Sequence, residues 1–337
     1  RAMIPGTSVL RQVPVWQSVL ARAITDPAEL LAAVGLGHEW LPAARAAAQR
    51  FPLRVPRGFV ARMGRGDPHD PLLRQVLPLA EECLAVEGFG ADPVGDLAAM
   101  AAPGVLHKYH GRVLLTATGA CAVHCRYCFR RHFPYADANP LADRWNQALA
   151  YIAGDDSIAE VILSGGAPLT LSDRRLAELV RGLEDVAHLR RLRLHTRLPI
   201  VLPERVNDEL LAWLGATRFK TVVVVHANHA QEIDASVASA LARLKAAGVE
   251  LLNQSVLLRG VNDSADVLAA LSEALFAAGV MPYYLHMLDR VQGAAHFEVS
   301  EAAARRLVAE LNRRLPGYLV PRWVREIAGA PGKVPVI

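Results

Sequence analysis

Lysine is nearly missing from this chain. Of 37 Lys and Arg residues only Lys108, Lys220, Lys245 and Lys333 are lysines, so chemistry that needs a primary amine has four places to find one. Cysteine is as scarce, at four residues in 337, which excludes the disulfide framework that staples small secreted domains and favours a reducing, cytoplasmic setting. The most apolar run, "TVVVVHA" at 221 to 227, is far too short to cross a bilayer, and the opening "RAMIPGTSVLRQVPVW" has no apolar core of signal-peptide length. No membrane partner is expected. Charge of one sign is lacking too: the formal net charge is +4, with 33 acids scattered among the bases, so no nucleic acid partner is expected. No low-complexity linker and no repeat beyond an alternation of elements is present.

What is there is apolar residues, 52% of the chain, ample for a large core. From about residue 112 a short aliphatic run, a loop and a stretch of helical spacing recur. The runs are "RVLLTAT" (112 to 118), "EVILSGG" (160 to 166), "RLRLHTR" (191 to 197), "TVVVVHA" (221 to 227), "LLNQSVLL" (251 to 258) and "MPYYLHML" (281 to 288). Helical candidates lie near 141 to 153, 172 to 187, 204 to 215, 230 to 248, 264 to 278 and 300 to 313. Runs that are apolar on both faces and joined by helical crossovers predict an α/β fold, a parallel sheet curled into a full or partial barrel. In such folds chemistry gathers at the C-terminal strand ends. Before residue 105, "DPAELLAAVGL", "LPAARAAAQRF" and "DPLLRQVLPLAEECLAV" predict a helical N-terminal region, 1–105, packed on a barrel of 106–315, with a C-terminal segment over 316–337.

Three of the four cysteines crowd into "CAVHCRYC" as C-x3-C-x2-C, Cys121, Cys125 and Cys128, while Cys83 lies upstream in an apolar segment of helical spacing. Three thiolates from one loop suit a [4Fe-4S] cluster with one iron left open. A structural zinc completed by His124 or His132 is the alternative the residues leave standing, as is a set of core cysteines.

The octet, with the aromatic Tyr127 before its last cysteine, and the "LSGGAPL" closing the second strand resemble the radical S-adenosylmethionine (SAM) superfamily. The resemblance implies a partial (βα)6 TIM-like barrel whose Cys121, Cys125 and Cys128 hold a [4Fe-4S] cluster. The open iron binds SAM, Tyr127 contacts its adenine, and Ser164, Gly165 and Gly166 meet its methionine end. An electron donor such as flavodoxin or ferredoxin is implied, because one-electron reduction releases the 5′-deoxyadenosyl radical. Ala167 departs from the pattern, since family members read "SGGDPL" where this chain reads "SGGAPL".

Beyond the superfamily, "HKYHGRVLLTATGACAVHCRYCFRR", "TRLPIVLPERV", "HANHAQEI", "NQSVLLRGVND", "PYYLHMLDRVQGAAHF" and "GYLVPRW" are similar to lysine 2,3-aminomutases over residues 105 to 337. The likeness is to the short bacterial branch that makes (R)-β-lysine for elongation factor P. It implies a second cofactor, pyridoxal phosphate (PLP), carried by Lys333 in a turn shaped by Gly329, Pro331 and Gly332, with Lys108 and Arg112 near its phosphate. Arg130 would hold the carboxylate of L-lysine, and Asp289 and Glu326 its distal ammonium. Gln254, Arg197 and Asn228 match SAM-side positions. The chain stops without the further cysteines that bind zinc in longer relatives, so no structural zinc is expected. The implied reaction is a radical 1,2-amino shift; a radical SAM enzyme without PLP, an aminomutase of another amino acid, and a zinc-binding scaffold are the competing readings.

Overall fold

The computed structural model describes residues 13–136 and 145–336. Ten strands form one sheet and pair in the order of the sequence: β1 (Met100–Ala102), β2 (Val105–Tyr109), β3 (Arg112–Thr118), β4 (Glu160–Gly165), β5 (Arg191–Thr196), β6 (Lys220–Val225), β7 (Glu250–Val256), β8 (Met281–His286), β9 (Arg322–Arg325) and β10 (Val334–Pro335). β3 to β9 are parallel, and β1, β2 and β10 add antiparallel edges. Six helices, Asn146–Ala153, Asp173–Glu184, Asp208–Ala216, Ala235–Ala246, Ala265–Ala277 and Glu301–Arg314, make the crossovers. The expected partial (βα)6 barrel is therefore present, each run and helix within a few residues of its predicted ends. Residues 141–144 of the first helical candidate lie outside the described residues.

The local reasons are ordinary. β4 is buried along almost its whole length, as a strand covered on both faces must be. The helices start where a side chain takes up a free amide: Ser172 for Arg175, Asn207 for Leu210, Asp234 for Val237 and Ser300 for Ala303.

One expectation needs correction. "DPLLRQVLPLAEECLAV" is not one helix. Asp70 caps a single turn at Pro71–Arg74, Pro78 lacks the amide a helix would need, and a 3-10 turn follows at Ala80–Cys83. Cys83 thus sits at the end of a tight turn, its carbonyl accepting from Arg50. The C-terminal segment adds β9 and β10 to the sheet.

Among the described residues β1 and β10 do not pair, so backbone hydrogen bonds do not close the barrel. Side chains bring its two edges together instead: Tyr109 of β2 donates to Glu326, just beyond β9, at 2.7 Å.

The N-terminal helices Val15–Ala21, Pro27–Val34 and Leu41–Arg50 lie outside the sheet. Their section grips the cysteine loop through Glu82, whose carboxylate takes two bonds from Arg126 at 2.8 and 2.6 Å and one from Arg131 at 2.8 Å. Glu82 and Arg126 have fully buried side chains. Removing one partner from such a cluster leaves a buried charge uncompensated, so Glu82→Ala should lower unfolding stability by roughly 3–5 kcal/mol in urea titrations; a loss below about 1 kcal/mol would show that the cluster holds nothing in place.

Candidate active site

One cavity of about 550 Å³ opens at the C-terminal ends of the parallel strands, and every residue that the resemblance assigns to a cofactor or to the substrate lines it. Cys121, Cys125, Cys128 and Tyr127 come from the loop after β3, with Arg130 just behind them. Ser164, Gly165, Gly166 and Ala167 come from the end of β4, Arg197 from β5, Asn228 from β6 and Gln254 from β7. Asp289 follows β8, Glu326 follows β9, and Lys333 precedes β10. Lys108 and Arg112 enter from the β2 to β3 hairpin. Lys220 and Lys245, the other two lysines, stand apart at the N-terminal start of β6 and on a helix.

At the thiol end three cysteines of one loop line the same stretch of cavity wall, and a cubane would spread three such thiolates over three irons. All three cysteines are free and half-buried. Burial, then the neighbouring sulfurs, pushes the Cys121 thiol well up and Cys128 to about 11, so iron is the kind of charge that would hold them as thiolates. Arg197 donates to Cys125 Sγ at 2.9 Å. Its other amine donates to Gln75 at 2.6 Å and Glu232 at 2.9 Å, both fully buried. Asn228 closes the network on Gln75 and on the Tyr127 hydroxyl, at 3.0 and 2.7 Å.

Two glycines let backbone meet backbone beside the cysteines. Gly165 has φ +105°, and a Cβ there would lie 2.6 Å from Thr116 Cγ2; at Gly166 it would lie 2.4 Å from the Ala120 carbonyl oxygen. The Gly165 carbonyl in turn accepts from Tyr135 at 2.8 Å. The Gly166 and Ala167 amides donate to Thr118 O and Ala120 O at 2.8 and 2.7 Å, which pins the cradle against the cysteine loop, and Ala167 lends it a methyl where a carboxylate was expected.

The amine end is charged. Lys333 Nζ donates to Glu326 at 2.5 Å, and Lys108 lies 3.4 Å from Glu326 and 2.6 Å from Asp96. Arg130 donates to Asp96 at 2.6 Å and to Ser164 at 3.4 Å. Burial opposes the charge on Glu326, yet Lys333, Tyr109 and Lys108 outweigh it and hold the acid at about 2. Glu326 is thus the counter-ion of Lys333 here, and Lys108 is engaged by carboxylates. Asp289 makes no side-chain bond among the described residues, and burial, then the Glu326 charge, pushes it up to about 7. It is the acid left for an incoming cation. Arg112, stacked 4.7 Å over Tyr109, is the cation left for an anion.

Between the two ends runs a belt of rings. A bulge in β8 pairs Asn253 with Pro282 and Gln254 with Tyr284, skipping Tyr283, and both tyrosines line the cavity with rings 3.8 Å apart. His226 meets Gln254 at 2.9 Å, and His195 and His286 complete the belt.

Sequence reasoning missed Asp96, Gln75, Glu232, Tyr109, Tyr135 and the role of this belt. Asp96, Gln75 and Glu232 carry no local signal, because each acts on a partner 34 or more residues away. The histidines closed predicted strands and could have been counted.

No protein-family model matches the chain. A protein of Haemophilus influenzae named L-lysine 2,3-aminomutase is 49% identical over 332 residues, covering 98% of both chains. One of Escherichia coli with the same name is 50% identical, covering 95% of this chain and 94% of its own. One of Clostridium subterminale, again so named, is 34% identical, covering 83% and 67%. Among solved structures, a radical SAM methyltransferase from Sphaerobacter thermophilus aligns at a TM-score of 0.47 and 20% identity over 68% of this chain and 72% of its own, too loosely to carry an argument. Among the described residues no helix is long and apolar enough to cross a membrane.

The state of Asp289 has a consequence for stability. Its ordinary value is 3.8 and its folded value about 7, so the folded chain holds the proton more tightly. The resulting stabilisation is full below about pH 4 and is lost as pH rises through 7. Asp289→Asn should match the wild type in thermal midpoint near pH 4 and exceed it near pH 8, both without ligand. A gap that stays constant with pH would place the Asp289 carboxyl in water.

Proposed function

The chain belongs to the L-lysine 2,3-aminomutase family and is an isomerase, and on that premise we propose that it moves the α-amino group of L-lysine to the β-carbon with a [4Fe-4S] cluster, SAM and PLP. The observation that carries the reading is the convergence of Lys333 and the three cysteines, over 200 residues apart, on one cavity of about 550 Å³.

Cys121, Cys125 and Cys128 would hold the cluster, and the backbone of Gly165 and Gly166 would meet SAM. Lys333 would carry PLP, with Arg112 free for its phosphate. Bound together, these groups supply a primary carbon radical and a carrier for the migrating nitrogen. The chain's own part is positioning and the exclusion of water. Arg130 presents a guanidinium to the substrate carboxylate, fixed from behind by Asp96. Asp289 receives the distal ammonium, and L-lysine in place of L-glutamate follows from that acid. Leu114, Ile162, Val256 and Leu288 give the cavity apolar walls. A one-electron donor of the flavodoxin or ferredoxin kind, a reducing cytoplasm that keeps four thiols free, and use of the (R)-β-lysine on elongation factor P complete the reading.

The test is anaerobic reconstitution with iron, sulfide, SAM, PLP and dithionite, with L-lysine and L-glutamate offered together. β-Lysine without β-glutamate is the expected outcome; turnover without PLP, or of glutamate alone, would defeat the proposal. A second measurement addresses Ala167, which is 7% exposed in the cavity wall. Ala167→Asp should tighten SAM binding on the order of tenfold, the worth of one charge-assisted hydrogen bond to an ammonium. Unchanged affinity would mean that this chain does without the acid.

A further inference from the structure

Two imidazoles of the ring belt have nothing to bond. His195 on β5 and His286 at the end of β8 both line the cavity, and the Nε2 of each is buried without a hydrogen-bond partner. Their neighbour His226 is satisfied by Gln254, so the middle of the belt is closed and its two ends are open. A buried ring nitrogen left unpaired costs about 1–3 kcal/mol. Two in one cavity point to a guest that completes them.

The surroundings say what kind of guest. His286 packs 5.4 Å from Tyr284, whose ring lies 5.9 Å from Lys333 Nζ. Lys333, Arg193 and Arg130 act on the two imidazoles as cations, and the carboxylate that acts on His286, Glu326, is already paired with Lys333 at 2.5 Å. A substrate ammonium is repelled from that position and has Asp289 to meet. A ligand of the cluster lies at the other end, beside the cysteines. The remaining guest sits by the lysine amine, is free of positive charge, and carries hydrogen-bonding atoms around a flat ring.

We propose that His195 and His286 are hydrogen-bonding ligands of the pyridoxal phosphate carried by Lys333, an inference that rests on the PLP-dependent reading above. Burial, then the cations around them, holds both imidazoles neutral, so each offers one N–H and one lone pair, and between them they can serve a phenolic oxygen, a ring nitrogen or a phosphate oxygen. The stacked pair Tyr283 and Tyr284 gives the ring a face to lie against.

The test titrates PLP into PLP-free protein whose cluster has been reconstituted, read by absorbance, with borohydride trapping at Lys333 as the covalent readout. His195→Leu and His286→Leu should each weaken PLP binding about tenfold, as the loss of one buried hydrogen bond would. His195→Gln and His286→Gln, which keep a donor and an acceptor, should recover most of it. Iron content and SAM affinity should not move. Without PLP the leucine variants should melt no lower than the wild type, because an unpaired buried nitrogen has been removed. Leucine variants that bind PLP like the wild type overturn the assignment, as does a loss of affinity that tracks a fall in melting temperature in the leucine and glutamine variants alike. Failure of the wild type itself to trap PLP on Lys333 overturns the functional reading instead.

Discussion

Two carboxylate oxygens on Glu326 do what backbone hydrogen bonds leave undone in this sheet. The parallel strands stop short of a closed barrel, and Glu326, just beyond β9, accepts from Tyr109 on β2 and from Lys333 on the way to β10, with Lys108 beside it. In a cavity of low dielectric such contacts are stronger than on a surface, and so is the cost of leaving any of them unmade. Take the acid away and two lysine ammoniums face each other with one fewer anion to share. The sheet's closure and the address of its single cavity lysine beyond the hairpin therefore depend on the same atoms. β10, only two residues long, could not fix that address alone.

The thiol end is held by a different device, from outside the barrel. His124 N donates to Arg54 O and Arg126 N to Gln75 O, both at 2.9 Å, so the backbone of the cysteine loop is stitched to the N-terminal section. Glu82 then anchors the two arginines on either side of Cys128, and Glu232 neutralises the arginine that reaches Cys125. The N-terminal helices are in this sense part of the site. They fix the loop, and the strand ends bring everything else to it.

How much of this the sequence disclosed follows from the range of each interaction. The parallel strands and their helices were legible because burial on both faces writes continuous apolar runs, and capping residues mark where helices begin. The cysteine triad was legible because its ligands share one loop. Lys333 was legible through the family resemblance; scarcity, with four lysines in the chain, only made each of them invite a reason. Asp96, Gln75 and Glu232 stayed hidden, since an isolated polar residue in an irregular stretch looks the same whether it faces water or a buried arginine. β9 and β10 were hidden for another reason, being too short to show a period. The helical spacing across 70 to 86 failed to give one helix where Pro78 outweighed apolar periodicity.

The proposed reaction also gains a direction from the order of residues in one loop. Arg130 follows Cys128 by two positions, and it is held between Asp96 and Ser164 at the end of β4. A carboxylate bound to it would lie beside Ser164, in the part of the cavity that Cys128 and Gly165 also line. Asp289, the acid free to take a cation, comes from the loop after β8, on the lysine side of the cavity. A zwitterion stretched between the two would keep its α- and β-carbons toward the cluster and its distal ammonium away from it. In the proposed shift the β-carbon, which would give up a hydrogen, and the α-carbon, which would receive one, would thereby be the ones presented to the radical source, and the distal methylene groups would be withdrawn from it. On the proposed reaction, charge placement along the cavity would therefore favour the α- and β-carbons over the distal methylenes without a side chain that touches the reacting carbon.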